Sequence, residues 1–287
     1  MHRNVRSTAA SGSSVYESER ASHLLLFYLQ FHFATAEDMF PYEPGPTSAL
    51  DFSARCAALC AEATGAAAGS GQRALDVGCA VGGASFELSR RYDDVIGLDF
   101  SERFVGVAAA MAARGALPYR SLVEGERTVA RTARLPLGAR IESVRFRQGD
   151  ACDLPTSELG PFDAVLASNL LCRLPRPRAF LGTLAALVRS GGVAVVVSPY
   201  SWLEEYTPKE LWLGGLADAG CNDDEMAEIT DTAETADSGS QGGANDGIGA
   251  MEPSFALEKR QPMPFIIREH ARKFQWGVSD GTVWRRR

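Results

Sequence analysis

The spacing of apolar positions changes at residue 73. Downstream of it, short apolar runs alternate with amphipathic stretches. Ala74-Leu75-Asp76-Val77 is one run, ending in Gly78, and Val95-Ile96-Gly97-Leu98 is a second. Val144 to Phe146, Phe162 to Ala167 and Val193 to Ser198 follow as third, fourth and fifth. The last is continuously apolar, as a strand buried on both faces should be. Between the runs, Ala84 to Arg91, the stretch opened by Ser101 with Phe104, Val105, Val107 and Ala108, and Arg178 to Arg189 read as helices. Ser101 is a suitable N-cap. Ser190-Gly191-Gly192 stops the last helix. Phe255-Ala256-Leu257 is a candidate sixth strand and Thr282-Val283-Trp284 a candidate last one, after the turn signal Asp280-Gly281. Strands separated by helices imply an α/β chain with a parallel, doubly wound sheet.

Upstream the pattern differs. Residues 1–18 are small and polar and predict a disordered N-terminus. Residues 19–70 predict a helical cap. Its first helix carries the apolar, aromatic stretch Leu24 to Phe33, and Pro41, Pro44, Gly45 and Pro46 then break the chain. A second, Ala-rich helix runs from Asp51 to Ala67, with Cys56, Leu59 and Cys60 on one face. Residues 71–287 form the main domain, with a segment at 219–250 rich in Asp, Ala, Gly, Ser and Thr. That segment holds too few large apolar groups to offset ordering entropy, so it reads as a disordered insertion. Its deletion is expected to leave activity intact. There are no internal repeats.

Composition narrows the class. The 287 residues are 45% hydrophobic and 23% charged, ordinary for a globular protein. The net charge is −7, which argues against a general nucleic-acid binder. Ten acids fall between Asp218 and Glu252, where there is no Lys or Arg, so the rest of the chain stands at +3. The acidity therefore belongs to one segment. Cysteines stand at 56, 60, 79, 152, 172 and 221 without a close CxxC pair, and the four His are scattered. No metal site is expected, and the cysteines read as reduced thiols in the cytoplasm. Apolar runs such as Leu24 to Leu29 are far short of a membrane span. Arg3, Arg6 and the serines before Glu17 keep an organelle transit sequence as an alternative.

The candidate chemistry lies at the strand ends. The first strand runs into Gly78-Cys79-Ala80-Val81-Gly82-Gly83. Glycines at a strand-to-helix turn let the backbone approach a ligand, and the next helix start offers free N–H groups. A dinucleotide fingerprint would be G-x-G-x-x-G, but the third position here is Ala80. Asp76 also precedes the first glycine by two, where a pyrophosphate would be repelled and an ammonium welcomed. S-adenosylmethionine (SAM) has an ammonium and no pyrophosphate. Asp99 ends the second strand, 21 residues after Gly78, where a carboxylate binds ribose hydroxyls. Gly149-Asp150-Ala151 follows the third strand and suits the adenine edge. Ser168-Asn169-Leu170 follows the fourth, where an open parallel sheet has its ligand crevice.

These four motifs, in this order, resemble the class I SAM-dependent methyltransferases. The resemblance implies a Rossmann-like, seven-stranded, mostly parallel sheet. It implies SAM as methyl donor, with S-adenosylhomocysteine as product and no metal. The cofactor set it implies is Asp76, Gly78, Cys79, Ala80, Gly82, Asp99, Phe100, Asp150, Ala151 and Asn169. A narrower wording adds Gln148 to Pro155, Asn169 to Leu174, Ser198 to Pro208 and Trp212 to Gly215. Met263 to Glu269, Ala271 to Trp276 and the N-terminal Phe31-His32-Phe33, Pro41-Tyr42 and Gly45-Pro46 extend it. In these stretches, over about residues 20–215 and 253–287, the chain is similar to the 4-mercaptohistidine N1-methyltransferases, the C-terminal module of ovothiol-synthesis enzymes. The resemblance implies methylation of an imidazole nitrogen of 4-mercaptohistidine (5-thiohistidine). Two departures stand out. An iron-dependent sulfoxide-synthase part, found upstream in bifunctional members, has no room here, which implies that a separate sulfoxide synthase supplies the substrate. The acidic segment is also longer than the family needs.

Methyl transfer is an in-line displacement that needs alignment and exclusion of water. A free imidazole lone pair needs orientation, plus an acceptor for the proton on the other nitrogen. Tyr200, Glu204 and Glu205 are candidates for orienting the substrate or accepting that proton. Arg173, Arg268 and Arg272 suit a carboxylate or thiolate. Trp202, Tyr206 and His32 complete the substrate set, with Tyr28 beside His32 on the cap helix. Plainer roles compete: packing for the loop aromatics, a helix end or Asp153 as partner for Arg173, a core position for His32, and space-filling for Cys79 and Cys152. Rival functions are methylation of another small molecule and a SAM-binding scaffold without transfer. A nicotinamide oxidoreductase is disfavoured by Ala80 and Asp76.

Overall fold

The computed structural model describes residues 24–43, 45–215, 251 and 254–287. The expected disordered segments 1–18 and 219–250, and the start of the first helix, lie outside these residues. The chain opens with helix α1 (residues 24–33) and a short α2 (Ala36–Met39). Next comes α3 (Phe52–Thr64), which Gly65 ends in the left-handed conformation that glycine adopts freely. Strands and helices then alternate: β1 (Arg73–Val77), α4 (Gly83–Leu88), β2 (Asp94–Asp99) and α5 (Glu102–Arg114). As the spacing predicts, the Ser101 hydroxyl caps α5 by accepting from the Phe104 N–H at 3.3 Å. A hairpin of β3 (Ala116–Glu124) and β4 (Arg127–Arg134) precedes β5 (Val144–Gln148). Then follow α6 (Thr156–Leu159), β6 (Phe162–Ser168), α7 (Pro177–Leu187) and β7 (Val188–Ser198). The long pair β8 (Phe255–His270) and β9 (Lys273–Arg286) closes the chain.

Seven strands form one sheet in the order β5-β2-β1-β6-β7-β9-β8. The five on the β5 side are parallel, and β9 runs antiparallel to both β7 and β8. Strand periodicity divides the core in two. Ala74, Ala164, Leu166, Val193 and Val195 face one layer with α3, α4 and α5. Leu75, Val77, Val165, Ala194 and Val196 face the other with Phe180, Leu181 and Leu184 of α7. Each central strand thus has apolar neighbours on both faces, and this is why its sequence does not alternate. Within the segment expected as a helical cap, α3 packs on β6, β7 and α4, while α1 leans toward the carboxyl ends of the strands.

Three expectations need correction. The β3–β4 hairpin was not expected. Only Leu117, Tyr119, Ser121 and Ala133 of it are buried, and its other positions are largely polar, so its apolar signal is weak. The last two strands run 16 and 14 residues, far beyond the three apparent in each run. Pro262 and Pro264 obscure β8, but an edge strand tolerates proline because its outer N–H groups pair with nothing. Helix α7 ends at Leu187, not Arg189, and the chain enters β7 through a register shift across Gly191-Gly192. A Cβ on Gly192 would sit 2.9 Å from the Asp163 carbonyl oxygen, so only glycine fits there.

Candidate active site

A cavity of about 690 Å³ opens at the carboxyl ends of β1, β2, β5 and β6. Its floor is the turn after β1. Gly78 and Cys79 both donate N–H bonds to the Leu98 carbonyl, at 2.7 and 3.0 Å, tying this turn to β2. Gly78 has φ +75°, and a Cβ there would lie 2.8 Å from Leu170 Cδ1. Ala80 is also left-handed, as are Asn169 after β6 and Tyr200 after β7. Asparagine tolerates that conformation, whereas Ala80 and Tyr200 resist it, so two strand-end turns carry strain.

Two carboxyls face this floor. Asp76 is 1% exposed and accepts a 2.6 Å bond from the Ser85 hydroxyl. Burial pushes its pKa up to about 7 against that bond's opposing effect. It forms no ion pair among the described residues. Asp99 is held rigidly: Oδ2 accepts from the Ala80 N–H at 2.9 Å and Oδ1 from the Ser101 N–H at 2.8 Å. Burial also raises its pKa. Each of its oxygens keeps a second lone pair for a hydroxyl. Beyond it, Phe100 stands 74% exposed and presents a free ring to the cavity.

The walls come from distant parts of the chain. Phe27, Tyr28, Phe31 and His32 form one face of α1 and line the cavity, as i, i+1, i+4 and i+5 spacing allows. Tyr28 lies 4.5 Å, centroid to centroid, from Phe104 at the start of α5. Burial raises the Tyr28 pKa, with Asp99 adding to the shift, so its hydroxyl remains a donor. From the β8–β9 hairpin, Phe265, Ile267 and Gln275 point inward, whereas Ile266 packs with Met39 and Ala49 on the opposite face. The hairpin tip is tied down by the Tyr42 hydroxyl, which donates to the Ala271 carbonyl at 2.9 Å, and by the Phe40–Phe274 ring pair at 4.8 Å. The mouth carries one cation and one acid. Arg173 donates from Nη1 to the Ser201 carbonyl at 2.9 Å, and its guanidinium lies 4.9 Å from the Tyr206 ring centroid. Glu205 also lines the mouth, and neither charge forms an ion pair among the described residues.

Nine of the ten residues expected to bind cofactor line this one cavity: Asp76, Gly78, Cys79, Ala80, Asp99, Phe100, Asp150, Ala151 and Asn169. Gly82 lies behind it, where a Cβ would meet the Phe146 ring at 2.7 Å, so this glycine serves packing. Of the substrate set, Arg173, Tyr206, His32 and Glu205 line the cavity. Tyr200, Glu204, Trp202, Arg268 and Arg272 do not. Tyr200 donates its hydroxyl to Asp280 at 3.3 Å, and Trp202 stacks on Trp212. Arg268 is 6% exposed and bonds the Asp38 carbonyl, with Arg131 ion-paired to the Asp38 side chain at 2.5 Å. Arg272 and Glu204 are exposed away from the crevice. Phe265, Ile267, Gln275 and Ser201 were missed as lining residues. The alternation Met263, Phe265, Ile267 carried a strand signal, but nothing local says which face covers a cavity.

The fold and site together define the Rossmann-like fold of class I methyltransferases: a seven-stranded, mostly parallel sheet, an acidic glycine turn after β1 and a carboxylate closing β2. Residues 75–196 match the family model described as "Methyltransferase domain", and this segment is a methyltransferase domain. The chain is similar to ajmaline N-methyltransferase of Rauvolfia serpentina, 27% identical over 125 residues, which are 43% of this chain and 35% of that protein. It is similar to ubiquinone biosynthesis O-methyltransferase of Bordetella avium, 29% identical over 42% of this chain and 40% of that one. The match thus spans about two fifths of the length of these relatives. Among solved structures, magnesium protoporphyrin IX methyltransferase of Synechocystis with bound SAM aligns at TM-score 0.48 and 14% identity, covering 99% of this chain and 100% of that one. No helix among the described residues is long and apolar enough to cross a membrane.

Proposed function

We propose that this chain is a SAM-dependent methyltransferase of a small molecule, and that its acceptor is an imidazole nitrogen of 4-mercaptohistidine, as in ovothiol biosynthesis. The observation that carries the methyltransferase reading is Asp76: a buried carboxyl with no cationic partner among the described residues, on the floor of a cavity that also receives the rigidly held Asp99. That donor set fits SAM. Asp76 would hold its ammonium, Asp99 its ribose hydroxyls, and Phe100 with Asp150 its adenine. Bound there, SAM supplies an electrophilic methyl carbon. The cavity volume lies within the range of small-molecule sites and gives no room for a macromolecular acceptor to enter whole.

The acceptor side is aromatic and apolar, with Arg173 and Glu205 at the mouth. An amino acid carries a carboxylate and an ammonium, which these two residues match in sign. The aromatic walls from α1 and β8 exclude water and flank a flat imidazole. The narrower acceptor rests on the family resemblance, and a separate sulfoxide synthase is the proposed source of the thiolated histidine. The test is direct: incubate the protein with SAM and 5-thiohistidine, histidine or related thioimidazoles, and follow the products by mass spectrometry. Methylated 5-thiohistidine is the expected product. Transfer only to other acceptors refutes the narrower claim, and tight SAM binding without transfer to any acceptor favours a scaffold.

Asp99→Ala is expected to weaken SAM binding by about 1–3 kcal/mol, the cost of hydrogen bonds lost to a charged group. The same change frees the Ala80 and Ser101 N–H groups, loosening the turn itself. Unchanged affinity by calorimetry would take Asp99 out of the site.

A further inference from the structure

We infer that His32 is a positioning residue for the glycine-rich turn: its Nδ1 accepts from the Gly83 N–H across 51 positions of sequence. This rests on the cofactor reading above for its consequence, though not for its geometry. Helix α4 starts from Gly82, which has φ +90° and no side chain with which to cap it. The first residues of any helix have N–H groups without intrahelical partners. Gly83, the first residue of α4, donates its N–H to His32 Nδ1 at 3.2 Å, so a residue of α1 satisfies an N–H that the helix itself leaves without a partner. The fit is mutual, since a Cβ on Gly83 would fall 2.5 Å from Nδ1. Gly83 is therefore glycine because the imidazole occupies its side.

Only the neutral imidazole with its proton on Nε2 can accept at Nδ1. Burial supports that form, lowering the His32 pKa to about 4. Its surroundings favour it too: the rings of Tyr28, Phe31 and Phe33, and the Ser53 hydroxyl 3.5 Å from the same nitrogen. An Nδ1 engaged with the backbone is unavailable to a ligand, which leaves only the Nε2–H of this cavity-lining residue to donate. What the contact does is fasten α1, which walls the cavity, to the segment that ends the Gly78–Gly82 turn. The N–H expected to stay free for a ligand at this helix start is consumed within the protein.

Two amide replacements separate the nitrogens. His32→Asn places an oxygen where Nδ1 stands, and His32→Gln places its amide where Nε2 stands. With Asn, the SAM Kd should stay within about twofold of the parent, while Gln or Leu should raise it about tenfold, the worth of one hydrogen bond left unmade. The KM for the acceptor at saturating SAM should move little in the Asn variant. Rescue by Gln with loss in Asn, or a raised acceptor KM with unchanged SAM Kd, would overturn the inference and make His32 a substrate contact. ¹⁵N NMR of the histidine ring in the cofactor-free protein is an independent check. The Nε2–H tautomer at pH 6–8 supports the anchor, and an Nδ1–H tautomer or an imidazolium refutes it. If the parent protein binds no SAM at all, the cofactor reading fails, while the ring spectrum still decides the anchor.

Discussion

Replacing Asp76 by Asn should weaken SAM binding by about 2–4 kcal/mol, the usual cost of removing one partner from a buried, hydrogen-bonded charge pair. It should also flatten the pH dependence of that binding. Asp76 is the most deeply buried acid of the site, and its pKa stands at about 7 because burial disfavours the charged form. An ammonium pairs with the ionised carboxylate only, so binding must release the proton below that pH. Affinity should then rise about tenfold per unit as pH approaches 7 from below, and level off above it until the ligand's own ammonium deprotonates. Asn keeps an oxygen for the Ser85 hydroxyl but cannot ionise, so its curve should be flat. The stability of the ligand-free protein runs the other way. A carboxyl whose folded pKa lies above its unfolded value favours folding at low pH and loses that advantage as pH rises from about 3.8 to about 7. Asp76→Asn should therefore melt higher than the parent at pH 8 without ligand. Calorimetric titration with SAM between pH 6 and 8 checks the first part and melting curves the second. A variant that keeps the parental pH slope would show that Asp76 does not meet the ammonium.

Phe86→Ala should cost about 3–5 kcal/mol of stability, the range for emptying a buried phenylalanine site. Phe86 has no exposed surface. Its ring lies 5.3 Å from that of Phe146 and 6.1 Å from that of Phe33, joining α4 to β5 and to α1. It also backs Gly82, whose imaginary Cβ would lie 3.1 Å from Phe86 Cε2. The void therefore opens directly under the glycine turn. For a domain of this size, each kcal/mol moves the melting temperature by about 2–4 °C, so a fall of about 10 °C is expected. Saturating SAM should recover part of it, since a ligand that binds only the folded state adds stability with concentration. A fall under about 2 °C would mean that the neighbouring rings collapse into the space.

Much of this protein follows from local sequence. The runs at 74–77, 95–98, 162–167 and 193–198 predict buried parallel strands because both faces of each must be apolar, and that pattern survives without any knowledge of partners. The gathering of the candidate cofactor residues around one cavity was legible for the same reason. Asp76, Gly78, Ala80, Asp99, Asp150 and Asn169 sit at or just past strand ends, and a parallel sheet brings all its carboxyl ends to one edge. Of the candidate substrate residues, fewer than half reach the cavity. Tyr200, Trp202, Arg268 and Arg272 have the right chemistry, but strand register and ring packing turn them to Asp280, Trp212, Asp38 and solvent. Local residue types carry no information about which way a loop side chain turns.

The charge division drawn from the sequence puts ten acids between Asp218 and Glu252 and leaves the remainder of the chain at +3. In that remainder, Arg173 and Glu205 both line the crevice although 32 positions separate them. What the sequence determined by itself is the alternation of buried strands with helices from residue 73 and the acids and glycines at the strand ends, because each is read from a pattern within one strand–turn–helix unit. What only the tertiary structure decided is the other half of the cavity: α1, the inward face of the β8–β9 hairpin, and the imidazole of His32 on Gly83. Those contacts join segments from opposite ends of the chain, and they exist only once the sheet has brought those ends together.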